Sequence, residues 1–238
     1  MSTLQSVMAE LKAKGSEQYR KTYARHGIPI DRTFGVSNAD LKVIVKGLRG
    51  EQALAMELYA TGNMDAMYLA GMIADGAKMT AKDLQGWAEG AVGMRMISEY
   101  TVPWVTVENA AAAKLAVKWM SSKKEEIACS GWSTYAGLVS VRPDAELDLK
   151  EVEGLLNRVV KEIGSAPNRV RYTMNTFVIC VACYVKPLAK KAKEVAKVLG
   201  AVKVDVGDTA CKVPVATEYI AKVEAAGRAG MKRKTMRC

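Results

Sequence analysis

The sequence predicts an all-α fold, and three observations carry that prediction. Half of the 238 residues are hydrophobic but only 6% are aromatic, so Ala, Val, Leu and Met must build most of the core. Unbranched side chains of this kind lose little rotamer freedom in a helix. Prolines number six, and apolar residues recur three and four apart in one segment after another. The composition is too apolar for a disordered chain and the length is ample for a buried core, in one large domain or two small ones.

Each helix can be justified in turn. Residues 3–14 place Leu4, Val7, Met8 and Leu11 on one face. A second helix over 16–26 stops at His26-Gly27-Ile28-Pro29, where Gly and Pro both end helices. Ser37 or Asn38 caps a helix carrying Leu41, Ile44, Val45 and Leu48. Gly50 separates it from a helix near 51–60, and Gly62-Asn63 precedes one with Met64, Met67, Tyr68, Met72 and Ile73 as its buried stripe. Thr80 caps a helix near 81–91. Pro103 fits the first turn of a helix running from about 103 to 120. Segment 122–140 is apolar through Ile127, Trp132, Tyr135, Leu138 and Val139, and Asp148 caps Val152, Leu155, Leu156 and Val159. Pro167 opens a long helix to Val185 and Pro187 the next, to Leu199. The stretch 201–212 alternates like a strand but is short, and reads as a loop crossing to a final helix at 214–225.

About a dozen helices joined by short connections, with antiparallel pairs recurring roughly every 35–45 residues, are compatible with a degenerate HEAT-like stack. A compact helical bundle satisfies the same periodicity. The expected organisation is one helical domain over 1–226 and a basic, mobile tail over 227–238, where apolar periodicity ends.

Charge is unevenly placed. The whole chain carries a formal +10, yet residues 186–238 alone hold 13 Lys and Arg against 5 Asp and Glu. A basic region on a near-neutral body points to a polyanion, with nucleic acid favoured over membrane because no lipid-facing helix is evident. A solvated lysine-rich surface is the plainer reading. The amphipathic start lacks the apolar core of a signal peptide, and no run approaches a membrane span. Five scattered cysteines give no disulfide framework. A cytoplasmic, reduced protein is expected, associated with the nucleoid if the source is bacterial.

Familiar catalytic signatures are absent: there is no P-loop, no dinucleotide fingerprint and no nucleophile elbow. His26 is the only histidine, beside a helix-ending glycine, and reads as a capping residue. Cys180 and Cys183 form a CxxC inside an apolar helical run, where free cysteine behaves as a small hydrophobe. No metal or cofactor is expected. More informative is a group of aromatics beside polar residues: Trp104 with Glu108, Trp132 with Tyr135, and Tyr172 with Asn175. Trp104 and Glu108 are four apart and share a helix face. An indole attracts cations and a carboxylate one turn on stabilises positive charge, although packed core tryptophans would give the same pattern.

The segments FGVSNADLKVIVKGL (34–48), ELYATGNMDAMYLAGMIAD (57–75), WVTVENA (104–110), GWSTYAGLV (131–139) and VRYTMNTFVICVACYV (170–185) together resemble the DNA alkylation repair family of HEAT-repeat, AlkD-like alkylpurine DNA glycosylases. The resemblance is colinear over most of the chain. It implies an all-α solenoid whose basic concave face holds DNA, and hydrolysis of the N-glycosidic bond of cationic N-alkylated purines without metal or cofactor. In the family's Trp-Asp-x-x-Asp pattern, Trp104 is kept, Val105 takes the first acidic position and Glu108 the catalytic aspartate's. In the Trp-x-Arg-Arg pattern, Trp132 is kept and Thr134 and Tyr135 replace the arginines, while Ile179 stands where a second tryptophan is expected.

The resemblance therefore implies Glu108 as the catalytic carboxylate, and Trp104, Trp132, Tyr135 and Tyr172 as an aromatic cradle converging near the middle of the concave face. Arg169, Arg171, Lys186, Lys190 and Lys191 become candidate phosphate ligands. The departures act on the chemistry more than on the scaffold. Glu108 carries its charge about one bond further out than aspartate. Each missing arginine removes a charge-assisted phosphate contact worth roughly 1.5–3 kcal/mol. Three functions are open at this point: a DNA-binding glycosylase, a non-catalytic relative recognising bent, branched or damaged DNA, and a helical-repeat scaffold for protein partners. Duplex or branched DNA is the expected partner, and a monomer the expected state.

Overall fold

The computed structural model describes residues 2–237 and is helical throughout, with thirteen α-helices and no strand among the described residues. In order these are α1 (Leu4–Lys14), α2 (Glu17–Arg25), α3 (Asn38–Ile44), α4 (Gln52–Ala60), α5 (Met64–Ile73), α6 (Ala81–Gly90), α7 (Val102–Val107), α8 (Ala112–Met120), α9 (Glu125–Val141), α10 (Leu149–Glu162), α11 (Asn168–Tyr184), α12 (Ala189–Leu199) and α13 (Ala216–Ala225). The chain divides into two compact units, one of residues 1–111 with 207–210 and one of 112–206 with 211–238.

Helix starts follow their capping residues. Ser16, Ser37, Asn63, Thr80 and Asp148 each accept a backbone N–H of the first turn through a side-chain oxygen, which satisfies donors the helix cannot. Thr3 with Ser6 and Thr80 with Asp83 close reciprocal capping boxes.

In the first unit, α4 pairs with α5, and α1 packs on both. Leu11, Leu58, Met64, Met67, Leu69, Leu84 and Met94 are its largest fully buried side chains other than Ile28 and Leu41. Tyr59 stacks face to face on Trp87 at 3.8 Å and donates its hydroxyl hydrogen to the Trp87 carbonyl. In the second unit α9 packs against both α8 and α11, and α11 against α12 and α13, around Trp119, Trp132 and Phe177. Asn168 clasps the crossing loop through paired 2.8 Å bonds to the Asp205 backbone, and Asn175 donates to the Pro214 carbonyl.

The helix anticipated over 103–120 is instead two helices separated by a break, with a π-helical turn before the first. A π-helical turn over Ile97–Thr101 leads into α7, residues 108–111 break the path, and α8 resumes at Ala112. Pro103 explains the first departure: it has no N–H, and its ring crowds the carbonyl four residues back. Widening the preceding turn relieves that crowding, and Val102 N–H donates to the Ile97 carbonyl, five residues back. Asn109 explains the second. Its buried amide donates to the Gly76 and Met79 carbonyls and its side-chain oxygen accepts from Ala111 N–H, bonds that compete with the helical ladder. A smaller difference occurs at Val45–Gly47, where α3 tightens into a 3₁₀ turn.

Residues 230–233 lie against the second unit's helix ends. Gly230 N–H donates to the Cys183 carbonyl, Arg233 N–H to the Ser140 carbonyl and the Lys232 ammonium to the Val139 carbonyl. Lys232 also pairs with Asp144 at 2.7 Å. These donors and this cation meet the negative, carbonyl-rich ends of α9 and α11.

Candidate nucleic-acid interface

In the first unit the segment 97–108 is pressed against α5 and the turn after it by two glycines. A Cβ on Gly71 would lie 2.4 Å from Thr101 Cγ2, and one on Gly76 would lie 1.8 Å from the Val105 carbonyl oxygen. This close approach puts Gly76 N–H 2.9 Å from Glu108 Oε2. Glu108 caps the C-terminus of α7, is exposed to solvent, and its carboxylate accepts from this amide.

Trp104, one turn earlier, is only 2% exposed. Tyr68 of α5 meets it edge-on at 5.0 Å, and Tyr100 of the π turn tilts against it at 6.4 Å. Tyr68 was legible as part of a buried helical stripe. Tyr100 was not singled out, although its spacing of four residues from Trp104 is the signal that finds it.

The other aromatic candidates belong to the second unit. Trp132 is fully buried and its indole N–H finds no hydrogen-bond partner among the described residues. Phe177 packs on it at 5.4 Å and also meets Tyr135 edge-on at 5.9 Å. The Arg158 guanidinium lies 5.7 Å from the Trp132 ring while bonded to Glu162 and to the Met120 carbonyl. A cation therefore does sit over this tryptophan, but it comes from α10 rather than from the Thr134 and Tyr135 positions. Tyr135 is 3% exposed and donates a short hydrogen bond to Glu151. Burial, reinforced by that carboxylate, pushes its phenol well above the usual range. Trp132 and Tyr135 thus come together around Phe177, whereas Tyr172 is half-buried beside Arg169, whose guanidinium stands 4.2 Å over its ring. Ile179 is buried.

The cations predicted to meet phosphate all lie in the second unit. Arg169 N–H donates to Glu125 at the start of α9. Arg171 is half-buried, with its Nε enclosed. Lys186 and Lys190 are exposed, while Lys191 lies 4.0 Å from Glu153 and its neighbour Lys193 pairs with Glu224 at 2.9 Å. Burial raises the thiols of Cys180 and Cys183, the latter to about 12, so both are protonated at neutral pH and poor nucleophiles or ligands. His26 ends α2 as expected, and its ring contacts Arg95. No group of three or more His, Cys, Asp or Glu among the described residues could hold a metal, and no described helix is long and apolar enough to cross a membrane.

Comparison with known proteins gives this geometry its context. One solved structure superposes with a TM-score of 0.90 over the full length of both chains at 38% identity. It is described as a new family of proteins related to the HEAT-like repeat DNA glycosylases with affinity for branched DNA structures. Two uncharacterised Listeria proteins, Lin0241 of L. innocua and Lmo0209 of L. monocytogenes, are 31% and 30% identical over 225 residues, covering 93% of this chain and 97% of theirs. Residues 7–176 match the DNA alkylation repair enzymes. With both the sequence match and a HEAT-like fold shared end to end, the chain belongs to the DNA alkylation repair enzyme family.

Proposed function

We propose that this protein binds DNA, with branched or bent forms preferred over plain duplex, and that recognition rather than glycosidic-bond hydrolysis is its activity. The observation that carries the reading is the state of the aromatic positions. A base-excising site needs indole or phenol faces against the cationic base, together with a carboxylate that acts on the sugar. Here Trp104 and Trp132 are 2% and 0% exposed and Tyr135 is 3% exposed. Each of these rings already packs against another ring or a guanidinium. The Glu108 carboxylate accepts the Gly76 amide. The basic excess over 186–238 and the branched-DNA affinity of the structurally matching family support a DNA ligand.

The test compares wild type with Glu108→Gln. Glutamine keeps an oxygen that can accept from Gly76 N–H, so the fold and DNA affinity should be unchanged. Neither protein should release methylated purines from alkylated duplex, and both should bind a four-way junction more tightly than a duplex of equal length. Base release by wild type that disappears in Glu108→Gln overturns the reading in favour of a glycosylase. Binding to neither DNA overturns it in favour of a protein-interaction scaffold.

A further inference from the structure

Tyr100, Trp104 and Glu108 follow one another at steps of four residues, and the middle one is buried while the outer two are exposed. Tyr100 is 43% exposed and stands on the only π-helical turn among the described residues. Its ring tilts at 57° against the Trp104 indole, which Tyr68 in turn meets edge-on. The surface phenol is thus the outermost of three aromatic tiers.

The backbone that carries Tyr100 is fixed from both sides. Glu99 and Thr101 are buried, and Gly71 leaves just enough room for the Thr101 methyl. Pro103 imposes the wide turn, as argued above. A π turn inserts one extra residue into the helical path and so re-aims a side chain. Here it leaves a large amphipathic ring partly exposed, with one side against Trp104.

Duplex bases are stacked on both sides and offer no face to a protein ring. At a branch point, bases lose a stacking neighbour and expose one. Base–aromatic stacking tolerates any sequence because every base has a π face. An exposed, pre-supported phenol therefore suits a branched structure and is indifferent to plain duplex.

We propose that Tyr100 is a stacking platform for an unstacked base at a DNA branch point. The proposal rests on the DNA-binding reading above and adds the residue that would discriminate branch from duplex. It requires no chemistry at the base.

The probe is a three-way junction carrying an unpaired 2-aminopurine at the branch, compared with a duplex of the same length. Wild type should bind the junction more tightly and change the 2-aminopurine emission on binding. Tyr100→Phe should retain both properties. Tyr100→Ala should lose at least about fivefold in junction affinity with duplex affinity unchanged, and lose the emission change. Tyr100→Leu keeps an apolar cover over Trp104 without a π face and should behave like the alanine variant. Tyr219→Ala, at a tyrosine of α13 that is 48% exposed, should behave like wild type. Full junction affinity and emission change in Tyr100→Ala or Tyr100→Leu overturns the platform while leaving DNA binding intact. Failure of wild type to bind either probe overturns the DNA-binding reading as well.

Discussion

Asp65 shows how one buried carboxylate can organise a segment thirty residues away. It is 1% exposed, yet it accepts from Thr33 Oγ1 at 2.8 Å and from the amides of Phe34, Gly35 and Val36 at 2.6, 3.2 and 3.0 Å. No cation is needed, because these converging donors and the first turn of α5 stabilise the negative charge. Asp65→Ala would take the acceptor from the Phe34 and Val36 amides and from the Thr33 hydroxyl, while Gly35 N–H keeps Thr33 Oγ1; each buried donor left unsatisfied costs about 1–3 kcal/mol. We expect a loss of about 3 kcal/mol or more in urea unfolding, whereas Asp40→Ala, at an exposed carboxylate 3.5 Å from Lys14, should move the midpoint little. Equal small shifts would show that the Asp65 anchor is dispensable. This role was not legible in the sequence, where Asp65 is one polar residue in an apolar stripe and its partners lie in a distant loop.

At the scale of elements, the decisive feature is how closely two segments approach. Gly76 has room for no side chain at all, since its Cβ would sit inside the van der Waals shell of the Val105 carbonyl. Gly86 is exposed within α6, and a Cβ there would meet nothing within 4 Å. The same substitution should therefore have opposite signs at the two positions. Gly86→Ala should stabilise by about 0.5–1 kcal/mol through helix propensity. Gly76→Ala should destabilise by about 1–3 kcal/mol as the turn is forced off α7 and the Glu108 hydrogen bond is lost. Thermal unfolding of the two variants checks this; equal signs would refute the close-approach argument. The helix starts were readable because caps and apolar stripes are local signals. Ser37, Thr80 and Asp148 cap where their sequence positions suggest. The break at 108–111 was not readable, because apolar periodicity runs through Ala110–Ala113 and only the tertiary partners of Asn109, at Gly76 and Met79, reveal it. The candidate site follows the same division. The spacing of Trp104 and Glu108 is local and visible, but the enclosure of Trp132 by Phe177 and Arg158 depends on helices far apart in sequence.

For the whole molecule the question is which cations reach a phosphate. A lysine already held by a carboxylate must give up that partner before it gains from DNA, so its net contribution is small. Lys191 and Lys193 are in that position, facing Glu153 and Glu224. Lys186 and Lys190 are exposed and lie in no ion pair among the described residues. Each phosphate contact releases counterions and steepens the fall of log K with log salt by about one unit. Replacing Lys186 and Lys190 together by Ala should therefore flatten the slope by about two units, with a uniform loss of affinity for junction and duplex. Replacing Lys191 and Lys193 together should flatten it by less than one. Titration of a labelled junction between 50 and 200 mM salt, a range over which phosphate contacts dominate the change in affinity, resolves the difference. Identical slopes for the two double variants would mean that pairing on the protein surface does not decide which lysines engage DNA. An unchanged slope in the first would remove Lys186 and Lys190 from the interface. Because phosphate contacts position without discriminating, neither double variant should alter the ratio of junction to duplex affinity. That ratio should respond to Tyr100 and not to these lysines, which separates the electrostatic contribution to binding from the contribution that recognises a branch.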